Sequence, residues 1–232
     1  VPILMPLHQS LAANQIESIV GILNGTTNYI LSQMTETGVN YANALADAQK
    51  QGFAEADPTN DVCGFDAARK LAILSSIGFR ANVTFDDVLV EGIEKIDKSD
   101  IQYAKDMGYT IKLLTVALRQ ENGIALNVYP AFLPDNHPLS SVKGAYNAIY
   151  VTGNIVDDVM FYGRGAGALP TASAVMGDVI STAQHILNGS TGTGMIMTDT
   201  KRIPFYSSLK LQNSYYFRLD VDDVTGVLSQ IA

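Results

Sequence analysis

The sequence predicts an α+β fold in which helices pack on a mixed or antiparallel sheet. Three observations carry that expectation. Apolar residues recur at helical spacing up to Met107, the period changes to two from Thr110, and a long apolar helical run returns after Pro170.

Taken in order, residues 10–16 read as a short helix, and residues 16–23 alternate as a strand that feeds the turn Asn24-Gly25-Thr26-Thr27. A helix is expected over 28–35. Over 41–51, Ala44, Leu45 and Ala48 share a face, and Gly52 is placed as a C-terminal stop. The strongest helical pattern covers 66–77, with Ala67, Leu71 and Leu74 on one side and Gly78 at its end. A short strand over 88–93 and a helix over 98–107 follow. Residues 110–119 and 124–132 are rich in β-branched and aromatic side chains and are joined by Gln120-Glu121-Asn122-Gly123, a hairpin signal. Residues 147–152 and 157–162 form a second pair around Gly153-Asn154. Residues 170–186 are a long apolar helix, and the Gly/Ser/Thr-rich stretch 188–200 reads as a connector at a domain boundary. Near the end, Tyr216-Phe217-Arg218-Leu219-Asp220-Val221 alternates like a strand, and residues 226–231 open a helix.

Composition narrows the function. With 232 residues, 47% hydrophobic and 16% charged, the chain can bury a sizeable core. A net charge of −8 argues against a nucleic-acid surface, which needs clustered Lys and Arg. The single cysteine, Cys63, forms no internal disulfide, and a reducing compartment, the cytoplasm, fits that usage. No run reaches the roughly 18 to 20 apolar residues that span a bilayer. The chain opens on Val1-Pro2-Ile3-Leu4-Met5, apolar and without an initiating Met, and is read as part of a longer polypeptide.

Chemistry concentrates in residues 52–70. Four carboxylates (Glu55, Asp57, Asp61, Asp66) and two cations (Arg69, Lys70) fall within sixteen positions. Pro58 and Gly64 put Glu55 and Asp61 on a loop, while Asp66 and Lys70 are four apart on the following helix and share a face. That spacing is also the pattern of an ordinary surface pair. Three carboxylates crowded ahead of it repel one another unless a cation sits among them, and a substrate ammonium would fit. A lysine held beside a carboxylate can move a proton to or from a hydroxyl, which suits alcohol and carbonyl interconversion.

Three segments, Gly21-Ile22-Leu23-Asn24-Gly25-Thr26-Thr27-Asn28-Tyr29-Ile30-Leu31, then residues 52–70, then Tyr162-Gly163-Arg164-Gly165-Ala166-Gly167-Ala168-Leu169-Pro170-Thr171-Ala172, resemble signature segments of homoserine dehydrogenases in order and spacing. The resemblance implies an NAD- or NADP-dependent oxidoreductase interconverting L-homoserine and L-aspartate 4-semialdehyde, in threonine, methionine and isoleucine biosynthesis. It implies Lys70 as proton donor and acceptor, Asp66 as its partner, and Glu55 and Asp61 as the charges that hold the substrate ammonium. Gly25 and Thr26 are expected to contact substrate through backbone and hydroxyl. Gly163, Gly165 and Gly167 are expected to approach the nicotinamide. Phe53 stands where some members carry Tyr, so no phenol hydrogen bond is expected there.

The resemblance covers residues 1–200, the substrate-binding, catalytic and dimerisation region, with helix 171–186 expected to pack on a nucleotide-binding domain. Residues 201–214 would be a linker, and 215–232 the first strand and helix of a ferredoxin-like ACT module. The dinucleotide fingerprint is nowhere in these residues. The family's monovalent-cation loop and a further active-site lysine are expected upstream of Val1. No metal ligand is assigned here, since His8, His137 and His185 are scattered singly. The chain alone is therefore expected to be inactive, and its full-length parent a homodimer contacting through the sheet of residues 110–152. The alternative is a non-catalytic amino-acid sensor on the same fold.

Overall fold

The computed structural model describes residues 1–190, 203–206, 211–222, 226, 227 and 229. Strands β1 (Ile16–Ile22), β2 (Leu89–Val90), β3 (Tyr109–Gln120), β4 (Gly123–Pro134), β5 (Tyr146–Gly153) and β6 (Asp157–Arg164) form a six-stranded sheet in the order β2-β4-β3-β1-β5-β6. The β2 to β4 pairing is parallel and the rest are antiparallel, so the sheet is mixed as expected. The helices are α1 (Gly25–Thr37), α2 (Tyr41–Lys50), α3 (Thr59–Val62), α4 (Phe65–Phe79), α5 (Lys98–Asp106) and α6 (Ala168–Leu187).

The β3–β4 hairpin registers from Tyr109 opposite Pro134 to Gln120 opposite Gly123. β1, though first in sequence, inserts between β3 and β5. Its C-terminal end thereby opens near the sheet's middle, and that end delivers the chain to α1.

Side chains alternate across the pleat, so the sheet has two apolar faces. Ile19, Ile111 and Leu113 pack with Ile30 and Leu31 of α1 and Leu71 of α4 in the main core. On the other face Ile22, Leu114, Val116 and Ala148 pack with Leu139 and Val142. Around this second cluster Val20, Leu118, Tyr129, Tyr150 and Met160 are only half-buried.

Several boundaries differ from expectation, each for a local reason. The helix expected over 10–16 lies earlier, as a π-helical turn at Pro6–Ser10. Residues 14 and 15 instead bond to the β5–β6 hairpin: Val156 N donates to Asn14 Oδ1 (2.9 Å), and Gln15 N to Asn154 Oδ1 (2.8 Å). The turn expected at 24–27 is the helix start itself, because Asn24 caps α1 by accepting Thr27 N at 2.8 Å. Within the loop of residues 55–61, Thr59–Val62 winds into one helical turn. Gly78 does not stop α4, which ends on Arg80 in a left-handed conformation (φ 53°). Gly78 instead admits the β1 side chain Ile19, whose Cδ1 would lie 2.7 Å from a Cβ placed there.

The strand expected over 216–221 is absent. A strand needs a ladder partner, and this segment pairs with none of the described strands. Tyr216 instead stacks on Phe132 (centroids 4.6 Å apart), and Arg218 Nη1 donates to Asp100 Oδ1 at 2.8 Å, which ties the segment to α5. Most of the connector over 188–200 and half of the helix over 226–231 lie outside the described residues.

Among the described residues two charged side chains are buried, Asp100, which Arg218 pairs, and Lys112. Lys112 of β3 is 2% exposed, and burial lowers its ammonium pKa to about 8 from the usual 10.5. The nearby Lys143 charge lowers it further, and Glu36 opposes the shift. With the folded value depressed, the unfolded chain binds more protons above pH 8, so this group makes stability rise from pH 8 toward 10.5. The rise should be about 2–3 kcal/mol. Urea unfolding at pH 7.5 and 9.5 checks it, as the difference between wild type and Lys112→Met. That difference cancels the opposing contribution of Cys63, whose thiol is pushed up to about 11.

Candidate active site

The site grows from the end of β1. Asn24, 5% exposed, leaves the strand with its side-chain oxygen committed to capping α1, which turns its amide nitrogen toward the acidic loop. Asn24 Nδ2 donates to Asp61 Oδ1 at 2.6 Å and to Asp66 Oδ2 at 2.9 Å. Asp61 rides on α3 and Asp66 on the first turn of α4, where the helix dipole favours a carboxylate. One turn on, Lys70 Nζ donates to Asp66 Oδ2 at 2.7 Å and reaches back to the carbonyl of Leu23 at 3.2 Å.

Asn24, Asp61, Asp66 and Lys70 thus form one hydrogen-bonded chain. The Lys70 and Asp66 side chains keep 50% and 31% exposure. An ion pair this open contributes only about 0.3–0.5 kcal/mol to stability, so it does little as a structural strut. Two of the three ammonium donors are used among the described residues, which leaves one for a ligand.

The other predicted residues divide. Gly25 and Thr26 begin α1, directly after Asn24. The Thr26 hydroxyl donates to Phe53 O at 2.7 Å, so toward a ligand its oxygen can only accept. Phe53 itself packs its ring on Tyr29, with centroids 4.6 Å apart. Glu55 is not drawn into the chain. Its backbone carbonyl accepts from Gln49 Nε2 (3.1 Å), and its exposed carboxylate has no partner among the described residues.

Gly163 lies inside β6 opposite Asn147, and Gly167 (φ 115°) starts α6. Between them, Gly165 sits against the Asn147 side chain. Arg164 of β6 lies opposite Tyr146 at the start of β5, and Ala148 of β5 lies opposite Ile22 at the end of β1, next to the Leu23 carbonyl that Lys70 meets. The glycine loop and Lys70 therefore lie at the same end of the sheet. From that loop α6 extends with none of its residues buried, exposing Leu169, Val175, Met176, Val179 and Ile180.

Cys63, in the same stretch, is no nucleophile here. Its thiol donates to Glu94 Oε2 at 3.1 Å, and burial together with that carboxylate keeps it protonated. Sequence reasoning missed Asn24 as the hub, although an Asn before Gly-Thr-Thr is a cap signal. It also missed Lys112, whose signal was a lone charge among Ile111, Leu113 and Leu114.

Fold and site together define an α+β module with a hydrogen-bonded lysine–carboxylate pair beside the C-terminal end of β1, an arrangement whose chemistry suits proton transfer. The homoserine dehydrogenase family profile matches residues 2–180. The chain belongs to the homoserine dehydrogenase family. It is 45% identical over 237 residues to the homoserine dehydrogenase of Corynebacterium glutamicum, covering 100% of this chain and 53% of that protein. A crystal structure of a homoserine dehydrogenase from Thiobacillus denitrificans superposes with a TM-score of 0.85 at 40% identity, over 89% of this chain and 49% of that one. A hyperthermophilic archaeal homoserine dehydrogenase mutant in complex with NADPH superposes with a TM-score of 0.65 at 27% identity, over 79% of this chain and 52% of that one. The chain spans about half the length of the curated relatives it matches. Among the described residues no helix is long and apolar enough to cross a membrane.

Proposed function

We propose that the polypeptide carrying this chain interconverts L-homoserine and L-aspartate 4-semialdehyde with NAD or NADP, in the biosynthesis of threonine, methionine and isoleucine, and that this chain supplies the substrate and acid/base half. The observation that carries the proposal is the Asn24, Asp61, Asp66, Lys70 chain within a family signature. In the oxidative direction the substrate hydroxyl gives its proton to Lys70, and the carbinol C–H electron pair leaves as hydride. Accepting that hydride is the chemistry a nicotinamide supplies when bound.

Asp66 holds the Lys70 side chain in place and offsets its charge when protonated. Glu55 and Asp61 hold the substrate ammonium; Glu55, without a partner among the described residues, is available to it. The Gly25 backbone and the Thr26 oxygen orient the substrate. Gly163, Gly165 and Gly167 meet the nicotinamide end. The fit is supported by the bare backbone of that loop, and by Asn147 behind it, whose buried Oδ1 has no partner among the described residues. The solvent-facing apolar residues of α6 fit a helix that packs on a nucleotide-binding domain. The half-buried aromatics and aliphatics on the outer sheet face fit a homodimer contact. Residues 215–232 would open an ACT module. We place the protein in the cytoplasm, which its single cysteine fits.

The test is nicotinamide absorbance with L-homoserine on the full-length polypeptide. Turnover supports the dehydrogenase. A protein inert with homoserine that still binds threonine would be a sensor, and the proposal would be lost.

A further inference from the structure

We propose that Lys112 is a positioning residue for the substrate end of the site: with Asn28 it fixes residues 142–146, and that segment sets the first turn of α1. The inference rests on the homoserine reading, because Gly25 and Thr26 are substrate contacts only under it.

A buried ammonium costs several kcal/mol unless it is paired. Lys112, 2% exposed and flanked by buried Ile111 and Leu113, has no carboxylate bonded to it among the described residues. Its partners are neutral oxygens, Asn28 Oδ1 at 2.9 Å and Val142 O at 2.5 Å. The Glu36 carboxylate is taken by Lys143 at 3.0 Å on the surface. Methionine or leucine at position 112 would fill the space without a buried charge, so stability alone does not account for this lysine.

What the lysine does is visible in the carbonyls. Asn28, 1% exposed, donates from Nδ2 to Val142 O (3.1 Å), Gly144 O (2.9 Å) and Tyr146 O (3.1 Å). One amide has two N–H groups for three acceptors, and the Lys112 ammonium supplies the donor that is short at Val142. Ser32 Oγ completes the clamp by accepting Gly144 N at 3.1 Å. Carbonyls 142, 144 and 146 therefore turn toward α1.

The carbonyl between them bears on the site. Ala145 O would lie 2.9 Å from a Cβ at Gly25, so the clamped segment abuts the first residue of α1. Asn24 precedes Gly25 and holds Asp61 and Asp66. A shift of the 142–146 segment is transmitted to Gly25 through Ala145, and to the glycine loop through Tyr146, which pairs with Arg164. Displacements on the order of an ångström at such contacts can change catalytic efficiency by up to about a hundredfold.

The test is steady-state kinetics on the full-length polypeptide, varying L-homoserine and cofactor separately, for wild type, Lys112→Met and Lys105→Ala, which removes an exposed charge of α5, with circular dichroism and thermal unfolding of each. Lys112→Met should raise the homoserine KM at least about tenfold, more than it raises the cofactor KM, while Lys105→Ala changes neither. A lowered Tm with an unchanged homoserine KM would reduce Lys112 to a packing residue and overturn the proposal. If Lys112→Met does not fold, Ser32→Ala, which frees only the Gly144 N–H, should raise that KM about threefold; no rise overturns the proposal equally. Failure of the underlying reading is seen separately, as a wild type inert with homoserine.

Discussion

Lys70→Met in the full-length polypeptide should lower kcat with L-homoserine at least about a hundredfold, the usual contribution of a positioned acid/base group. The same substitution should leave the unfolding free energy within about 0.5 kcal/mol of wild type, because the pair it breaks is half-exposed. The combination is diagnostic. A residue retained for folding would show the reverse, a falling Tm with kcat per folded molecule preserved. Methionine keeps the aliphatic stem that leads out from α4 and removes only the donor that meets Asp66 and Leu23 O. Asp66→Asn keeps the shape and a polar oxygen beside Lys70 but loses the charge that offsets the ammonium, so its kcat loss should be smaller than that of Lys70→Met. Less than about a tenfold loss in Lys70→Met would mean that another group, or water, moves the proton.

That Lys70 was legible in sequence while its surroundings were not has a physical basis. Asp66 and Lys70 lie on one helix, and helical periodicity alone places side chains four apart on a common face. The sheet was legible for a similar reason, since β3, β4, β5 and β6 form two hairpins whose turns and alternation are local. Residues joined across the fold left no such trace. Asn24 meets Asp61 and Asp66 only because β1 inserts between β3 and β5, a pairing between segments about a hundred residues or more apart. Lys112 and Asn28 stand on a strand and a helix 84 positions apart, and no periodicity announces their bond. The strand expected over 216–221 failed for the complementary reason. Alternation says that a segment can be a strand, and the presence of a ladder partner decides whether it is one.

Gly92→Ala should cost about 3 kcal/mol or more of stability and should also weaken homoserine binding. A methyl carbon at Gly92 would run into the Val62 carbonyl oxygen, and would lie 2.6 Å from Cys63 Cα and 2.9 Å from Cys63 C. All three are backbone atoms, so no side-chain rotation relieves the contact, and the segment leaving β2 must separate from the C-terminal end of α3. Ile93 N donates to that same Val62 carbonyl at 2.8 Å, so separation breaks a backbone hydrogen bond as well. α3 is a single turn, held otherwise by the buried Val62 and the Arg69 to Asn60 hydrogen bond, and it carries Asp61. Moving it pulls Asp61 from Asn24 and alters the place where the substrate ammonium is expected. Gly38→Ala is the natural comparison: Gly38 ends α1, with φ 71°, and a Cβ there meets nothing within 4 Å. It should cost only the left-handed backbone strain, about 1 kcal/mol, and leave the homoserine KM unchanged. Urea unfolding and steady-state kinetics of the two variants separate strain from collision. If Gly92→Ala were no worse than Gly38→Ala, α3 would be loose enough to yield, and the acidic loop could not be the rigid wall that holding an ammonium beside Lys70 requires.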